Sequence, residues 1–310
     1  MSDSSPFHCG ERAVQRSAGE AAIADRNIAV LSDAVIAGAR PFIAKQSMVA
    51  LASVDAAGDL WASVLFGKPG FVTTPDGRSI VLDVPASRRD PDDPLWTNIA
   101  AGADLGMLFI ELSSRRRYRV NGTVSQLDGR VAEVAIREAY PNCPKYIQRR
   151  QLRHVGEPRL PAQAAYGAVL RGTVEQIVRA ADTVFVASRH PAAGADASHR
   201  GGAPGFVQVI DATTLRIPDY AGNSLFNTLG NFSVDPRAGL CIPDFANGQL
   251  LQLTGSATVQ WDQEDPGNET GGTRRYWEFR VDKWILRDTL QALEWEYLDA
   301  SPFNPPVRAA

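Results

Sequence analysis

The residues best suited to chemistry are Ser198-His199-Arg200-Gly201-Gly202. An arginine fork, a hydroxyl and backbone N–H groups bared by two glycines are the donors a phosphate needs. Taken alone, the stretch reads first as a surface arginine beside a turn. Cys143, in Pro141-Asn142-Cys143-Pro144-Lys145-Tyr146, is a second candidate, because a neighbouring ammonium lowers a thiol pKa. No histidine or aspartate is fixed beside it in sequence, so the segment reads as interface architecture rather than as a nucleophile. Among the four histidines, His8 and His199 are of interest, whereas His154 and His190 read as loop residues. The three cysteines lie far apart and form no Cys/His cluster, so reduced thiols, no disulfide framework and no metal site are expected.

The elements that must position these residues come twice. Gly67-Lys68-Pro69-Gly70-Phe71-Val72 returns as Gly202-Ala203-Pro204-Gly205-Phe206-Val207, 135 residues later. Gly106 and Gly122 align with Gly239 and Gly255 at an offset of 133. Matches at nearly one offset indicate two β-rich units in series. Each has short alternating runs between Gly/Pro turns, the pattern of a small barrel of antiparallel strands. Expected strands include 47–54, 59–65, 105–110, 117–124, 183–187 and 249–261, with helices at 19–40, where Arg40-Pro41 is the stop, and at 173–180 and 224–232. The fold class is mainly β with flanking helices. The divisions are an N-terminal arm and helix over 1–40, a first barrel over 41–140, a connector over 141–172 and a second barrel over 173–310.

The 310 residues suffice for two domains, and a net charge of −3 gives no sign of nucleic-acid binding. No apolar run reaches a membrane span and no secretory leader is read, so a cytoplasmic protein without a membrane partner is expected.

Several stretches resemble the pyridoxamine 5'-phosphate oxidase-related, FMN-binding split-barrel superfamily, in its tandem two-barrel branch. They are Asp196 to Phe206, Pro218 to Asn223, Phe226 to Asn231, Leu253-Thr254-Gly255, Phe7-His8 with Glu11 to Arg16, Trp61-Ala62-Ser63 and Asn142 to Gln148. The resemblance implies two tandem split β-barrels packed as a pseudo-dimer, a homodimer of such chains, and FMN at the interface of the barrels. It implies phosphate contacts from Ser198, His199, Arg200 and Gly201, with Lys145 facing the same group. It places Asn223, Thr228 and Asn231 near the phosphate or ribityl chain, with helix capping by the two asparagines as the other reading. Asp219 and Tyr220 would line the flavin ring, and Tyr220 serves equally as core.

The sequence departs from true pyridoxamine 5'-phosphate oxidase, because the basic pair of the second phosphate loop is replaced by Tyr220-Ala221-Gly222-Asn223. Vitamin B6 chemistry is therefore not carried over. Leu65-Phe66 stand where the second copy has Arg200-Gly201, which makes the first barrel's flavin site degenerate and implies one flavin per chain. Lys68, Arg115, Arg116, Arg117 and Arg119 are the basic content of the first barrel, either a solvated strand end or a set reaching over the interface. Four late tryptophans, Trp261, Trp277, Trp284 and Trp295, read as core. The implied activity is an FMN-dependent oxidoreductase acting on a small-molecule substrate, with no catalytic side chain named. No reductase-like segment is read in the chain, so an external electron donor or acceptor is expected, a nicotinamide cofactor or a separate reductase. The alternatives are a flavin-storage protein without turnover and a cofactorless interaction scaffold.

Overall fold

The computed structural model describes residues 5–159 and 163–307. The start of the N-terminal arm (1–4), residues 160–162 of the expected connector and 308–310 of the tail lie outside them. The first sheet contains β1 (Met48–Val54), β2 (Leu60–Phe66), β3 (Val72–Thr73), β4 (Ser79–Asp83), β5 (Asp104–Glu111), β6 (Arg116–Leu127) and β7 (Val131–Asn142). After β8 (Arg149–Pro158), the second sheet contains β9 (Ala165–Gly167), which pairs with β16 beside the main path, and β10 (Thr183–His190), β11 (Gly194–Gly201), β12 (Gln208–Val209), β13 (Thr214–Pro218), β14 (Arg237–Asp244), β15 (Gln249–Gln260) and β16 (Tyr276–Asp288). The first sheet runs β2-β1-β5-β6-β7-β4-β3, and the second runs β11-β10-β14-β15-β16-β13-β12. Strand for strand, these are the same order. Neither sheet closes on itself, so the barrels expected from sequence are two open antiparallel sheets.

The repeated glycines sit where φ is positive or where a side chain has no room. Gly70 and Gly205 take φ of +94° and +92° in the matching turns. A Cβ on Gly106 would lie 2.6 Å from the backbone N of Ala197, and one on Gly239 would lie 2.5 Å from the carbonyl of Leu60. Each glycine thus lets its sheet touch the backbone of the other.

Alternation along the central strands buries both faces. Val49 and Leu51 of β1 enter the first sheet's own core, whereas Met48, Ala50 and Ala52 join Phe185, Ala187, Ala195, Ala197 and Cys241 in a third core between the sheets. Val184, Val186, Leu240 and Leu253 build the second sheet's own core with Trp277 and Phe279. Alanines on the shared face permit close approach, which is why β1, β5, β10 and β14 are buried almost throughout.

Three expectations are revised. The single helix over 19–40 is instead a short helix, α2 (Ala21–Asn27), followed by irregular chain, and Pro41 opens a helix, α3 (Arg40–Ala44), rather than ending one. Proline suits the first turn, where its missing N–H has no acceptor to lose. The expected connector carries β8, which pairs with β17 (Gln291–Asp299) in a separate two-stranded sheet. His190 is the last residue of β10 rather than a loop residue, and His154 lies in β8. The remaining helices are α1 (Cys9–Ser17), α4 (Leu95–Asn98), α5 (Thr173–Ala180) and α6 (Asn227–Phe232). No helix among the described residues is long and apolar enough to cross a membrane.

Candidate functional site

The first cavity lies where the two sheets meet. Its walls come from β6 (Arg117, Arg119), the end of β7 and the turn after it (Asn142 to Tyr146), β11 (His199 to Gly201), the segment 219–226, and α6. Sequence spacing alone does not join these pieces; the packing of β6 against β11 does.

Arg117 donates to the carbonyls of Cys143 and Lys145, and through Nη1 to Nδ1 of His199 at 3.2 Å. All three acceptors are neutral. Burial pushes the Arg117 guanidinium down to about 9, and the charges of Arg119 and Arg200 add to the effect. His199 is held well below the usual imidazole range, first by burial and then by Arg117 and Arg200, so it is neutral. Its Nδ1 accepts, which places the proton on Nε2, and Nε2 is buried without a partner.

Arg200 donates to the adjacent His199 carbonyl and stands 4.0 Å from Asp219. Asp219 is already held by Arg275 at 3.0 Å. Burial lowers the Arg200 pKa, Asp219 opposes the shift, and Arg119 reinforces it. Burial would also lower Arg119, but Asp196 and Tyr140 outweigh it and the net shift is upward. Lys145 lies over the Phe303 ring at 5.4 Å. Tyr146 and Tyr220 face each other at 4.7 Å between ring centroids.

Two further observations mark this cavity. Buried polar atoms without a partner gather at it: Asn142 Oδ1, His199 Nε2, Arg200 Nε and the Tyr220 hydroxyl. Three non-glycine lining residues, Tyr146, Ser224 and Phe226, hold positive φ of 65°, 62° and 62°. Backbone strain of this kind concentrates at ligand sites.

Of the residues nominated from sequence, His199, Arg200, Gly201, Asp219, Tyr220, Asn223, Thr228 and Lys145 line the cavity. Ser198 does not: it is fully buried, and its hydroxyl receives the Thr228 hydroxyl at 2.9 Å. Asn231 faces a second cavity instead, with its side chain on Ser188 and His8. Asn223 accepts from Leu225 N in the turn ahead of α6, and neither asparagine caps that helix, whose N-cap, Phe226, has no side-chain hydrogen bond. Arg117 and Arg119 were legible only as basic content of the first unit, and Asn142, Tyr146 and Asn227 were not nominated as ligand contacts. Among the tryptophans, Trp277 packs on Phe232 and Trp295 on Phe66 and Phe245, away from the cavity.

Residues 37–157 match the pyridoxamine 5'-phosphate oxidase family. The match covers less than half of the chain and includes Arg117, Arg119 and the Asn142 to Tyr146 turn. No curated protein matches the chain. Among solved structures, HupZ from Group A Streptococcus aligns over 41% of this chain and 93% of its own, at 9% identity and a TM-score of 0.28. A pyridoxamine 5'-phosphate oxidase-related, FMN binding protein from Nostoc punctiforme aligns over 42% and 96%, at 12% identity and a TM-score of 0.25.

The equivalent place in the repeat is filled from within. Ser63 and Asp93 take the positions of Ser198 and Thr228, and the Ser63 hydroxyl donates to Asp93 at 2.6 Å. Gln252 stands at the position of Arg119, and Arg287 at that of Asn142. Arg287 binds Asp90 at 2.6 Å, Asp93 at 2.5 Å and Gln252 at 2.8 Å, all buried. Arg117 of the first cavity has only neutral acceptors, whereas Arg287 is neutralised by the chain's own carboxylates.

His8, Cys9 and His190 place three potential ligand atoms within 4.8 Å of one another. The two imidazoles are stacked at 4.1 Å, so their in-plane lone pairs run side by side rather than toward one point. His8 Nδ1 also caps α1 and His8 Nε2 binds Asn231. This arrangement suits a helix cap better than a metal ion.

Proposed function

We propose that the chain is an FMN-dependent oxidoreductase acting on a small molecule, with an external electron donor or acceptor, and that the first cavity holds the phosphate end of the flavin. The observation that carries this reading is the convergence of Arg117, Arg119, Arg200 and Lys145 on one cavity, with Arg117 bonded only to neutral acceptors. The unpartnered Arg200 Nε and His199 Nε2 add donors to the set. The volume of ≈ 120 Å³ suits a phosphate end and falls below the ~300–1,000 Å³ of pockets that enclose a whole ligand. On this reading the two sheets are a tandem pair of split-barrel units packed as a pseudo-dimer, with one flavin site between them.

Bound FMN would supply the electron-transfer chemistry. The chain's own residues do the rest. Arg200 and Arg117 hold the phosphate by charge-assisted hydrogen bonds, and neutral His199 donates through Nε2. Asn142 and Asn223 offer uncharged partners, and the tyrosine pair shields the cavity from water. Ser198 acts indirectly, by fixing Thr228.

The test is reconstitution of the protein with FMN or riboflavin, followed by removal of free dye and a visible spectrum. FMN is expected to remain at about one per chain and riboflavin, which lacks the phosphate, to be lost. Equal retention of both would refute the phosphate assignment, two FMN per chain would refute the single site, and no retained flavin at micromolar protein would refute the flavin reading.

A further inference from the structure

A second cavity, of ≈ 340 Å³, adjoins the first at Asn227, which lines both. Its walls come from α1 (His8, Glu11), the chain at 31–33, β6 (Asn121), β7 (Arg137, Glu138), β11 (Asp196) and α6 (Asn227, Asn231). Four carboxyl groups, Glu11, Asp33, Glu138 and Asp196, line it against one guanidinium, Arg137. Arg137 is itself paired with Asp104 at 3.1 Å, and Asp33 with Arg78 at 3.6 Å. Asp196 is paired in turn with Arg119 at 3.3 Å through Oδ1 alone, so the carboxyls without an arginine partner are Glu11 and Glu138.

Two acceptors in this wall lack a donor. Asp196 is 3% exposed and Asn121 5%, and Asp196 Oδ2 and Asn121 Oδ1 are buried without a partner. The amide orientation of Asn121 is fixed, because its Nδ2 faces Asp196 Oδ1 at 3.0 Å and Glu138 Oε2 at 3.4 Å. The oxygen is thus the free end. Arg119 Nε comes within 3.3 Å of Asp196 Oδ1 without hydrogen-bond geometry, and leaves Oδ2 untouched. A buried acceptor left unmade carries an uncompensated desolvation penalty. Donors supplied by a ligand remove that penalty.

We propose that the second cavity is a binding site for a small organic cation, an amine, amidinium or guanidinium whose N–H groups satisfy Asp196 and Asn121. A bare metal ion fits less well. Among the described residues only His8, Cys9 and His190 bring three ligand atoms within 4.8 Å of one another, so the carboxyls here are spread over a span that a larger, multi-donor cation bridges. Burial also raises Glu11 to about 8 and raises Glu138. The proposal is independent of the flavin reading.

Benzamidine and benzamide make the test, since they share shape and differ in charge. Calorimetric titration at pH 8 is expected to show benzamidine binding and no benzamide binding. Asp196→Asn should weaken benzamidine at least tenfold. Arg119 loses its ion-pair partner in that variant, so Glu138→Gln, at a half-buried position, provides a second probe with an expected severalfold loss. Equal binding of the two probes, no binding of benzamidine at ten millimolar, or unchanged binding in both folded variants would overturn the proposal. Flavin retention is read on the same samples, so loss of one ligand with the other kept separates this site from the first cavity.

Discussion

Arg117 of β6 donates to Nδ1 of His199 on β11 at 3.2 Å, joining the two sheets through the site itself. The bond fixes the His199 tautomer and brings a cation that no carboxylate accepts to the cavity. Arg117→Ala removes one charge-assisted bond, worth roughly 1.5–3 kcal/mol, so FMN affinity is expected to fall about 10- to 100-fold. The same holds for Arg200→Ala. The pH profile distinguishes them. Burial pushes the Arg117 guanidinium down to about 9, so wild-type affinity for FMN is expected to drop as pH rises through that value, because the charge facing the phosphate is then reduced. Fluorescence titration of FMN from pH 7 to 10 checks this. A drop of equal size in Arg117→Ala would assign the limb to another group.

Arg287 invites the opposite expectation. It is buried with Asp90 and Asp93 in the equivalent place of the repeat. Arg287→Leu leaves two buried carboxylates without a counter-charge, a change that typically costs about 3–5 kcal/mol. A large fall in denaturant midpoint is expected, with flavin retention per folded chain unchanged. Loss of flavin in a variant that stays folded would place Arg287 in the binding machinery instead.

The fold was legible mainly through glycine. Gly106 and Gly239, and Gly70 and Gly205, recur at matched places because each stands where a Cβ has no room or where φ is positive. That constraint is local, so it is written in the sequence. His199 and Arg200 were legible for the same reason, as donors beside two glycines. Arg117 was not, because its meeting with His199 depends on how two sheets pack over a separation of 82 residues. Ser198 misled, since its hydroxyl has a buried partner in Thr228 that spacing does not reveal. The β8–β17 pair escaped notice because both strands are half exposed and carry charged residues, so neither has a clear apolar alternation.

Glu11 links the N-terminal helix to stability. Its carboxylate accepts from the His8 backbone N–H at 2.9 Å and from Asn227 at 2.6 Å, and burial raises it to about 8. A carboxyl whose folded pKa is raised contributes stability at low pH that is lost as pH rises toward the folded value. His8, lowered to about 4 chiefly by burial, acts in the opposite sense and loses stability as pH falls below its ordinary value of 6.5. The two slopes offset each other between about 4.5 and 6.5, and the Glu11 slope stands alone from 6.5 to 8. Thermal midpoints are therefore expected to decline over that interval, and Glu11→Gln should flatten the decline. An unchanged slope in the variant would assign it to other groups, Glu138 first.

Gly106 and Gly239 allow the site to be perturbed through packing alone. A methyl group at 106 would press on the backbone of Asp196 and Ala197, at 2.6 Å from each, and one at 239 on the backbone of Leu60 and Ala62. Strand backbone tied into its ladder, β11 to β10 and β2 to β1, cannot rotate away as a side chain does, so the sheets must part. Overpacking of this kind costs about 1–3 kcal/mol, and both alanine variants should lower the thermal midpoint by similar amounts. Their effect on the first cavity differs. Asp196 and Ala197 lie on β11, the strand that carries His199 and Arg200, whereas Leu60 and Ala62 lie on β2, beside the Arg287 cluster. Gly106→Ala is expected to reduce FMN retention and Gly239→Ala to leave it intact, measured per folded chain. Equal loss in both would mean that retention follows global stability rather than the placement of β11.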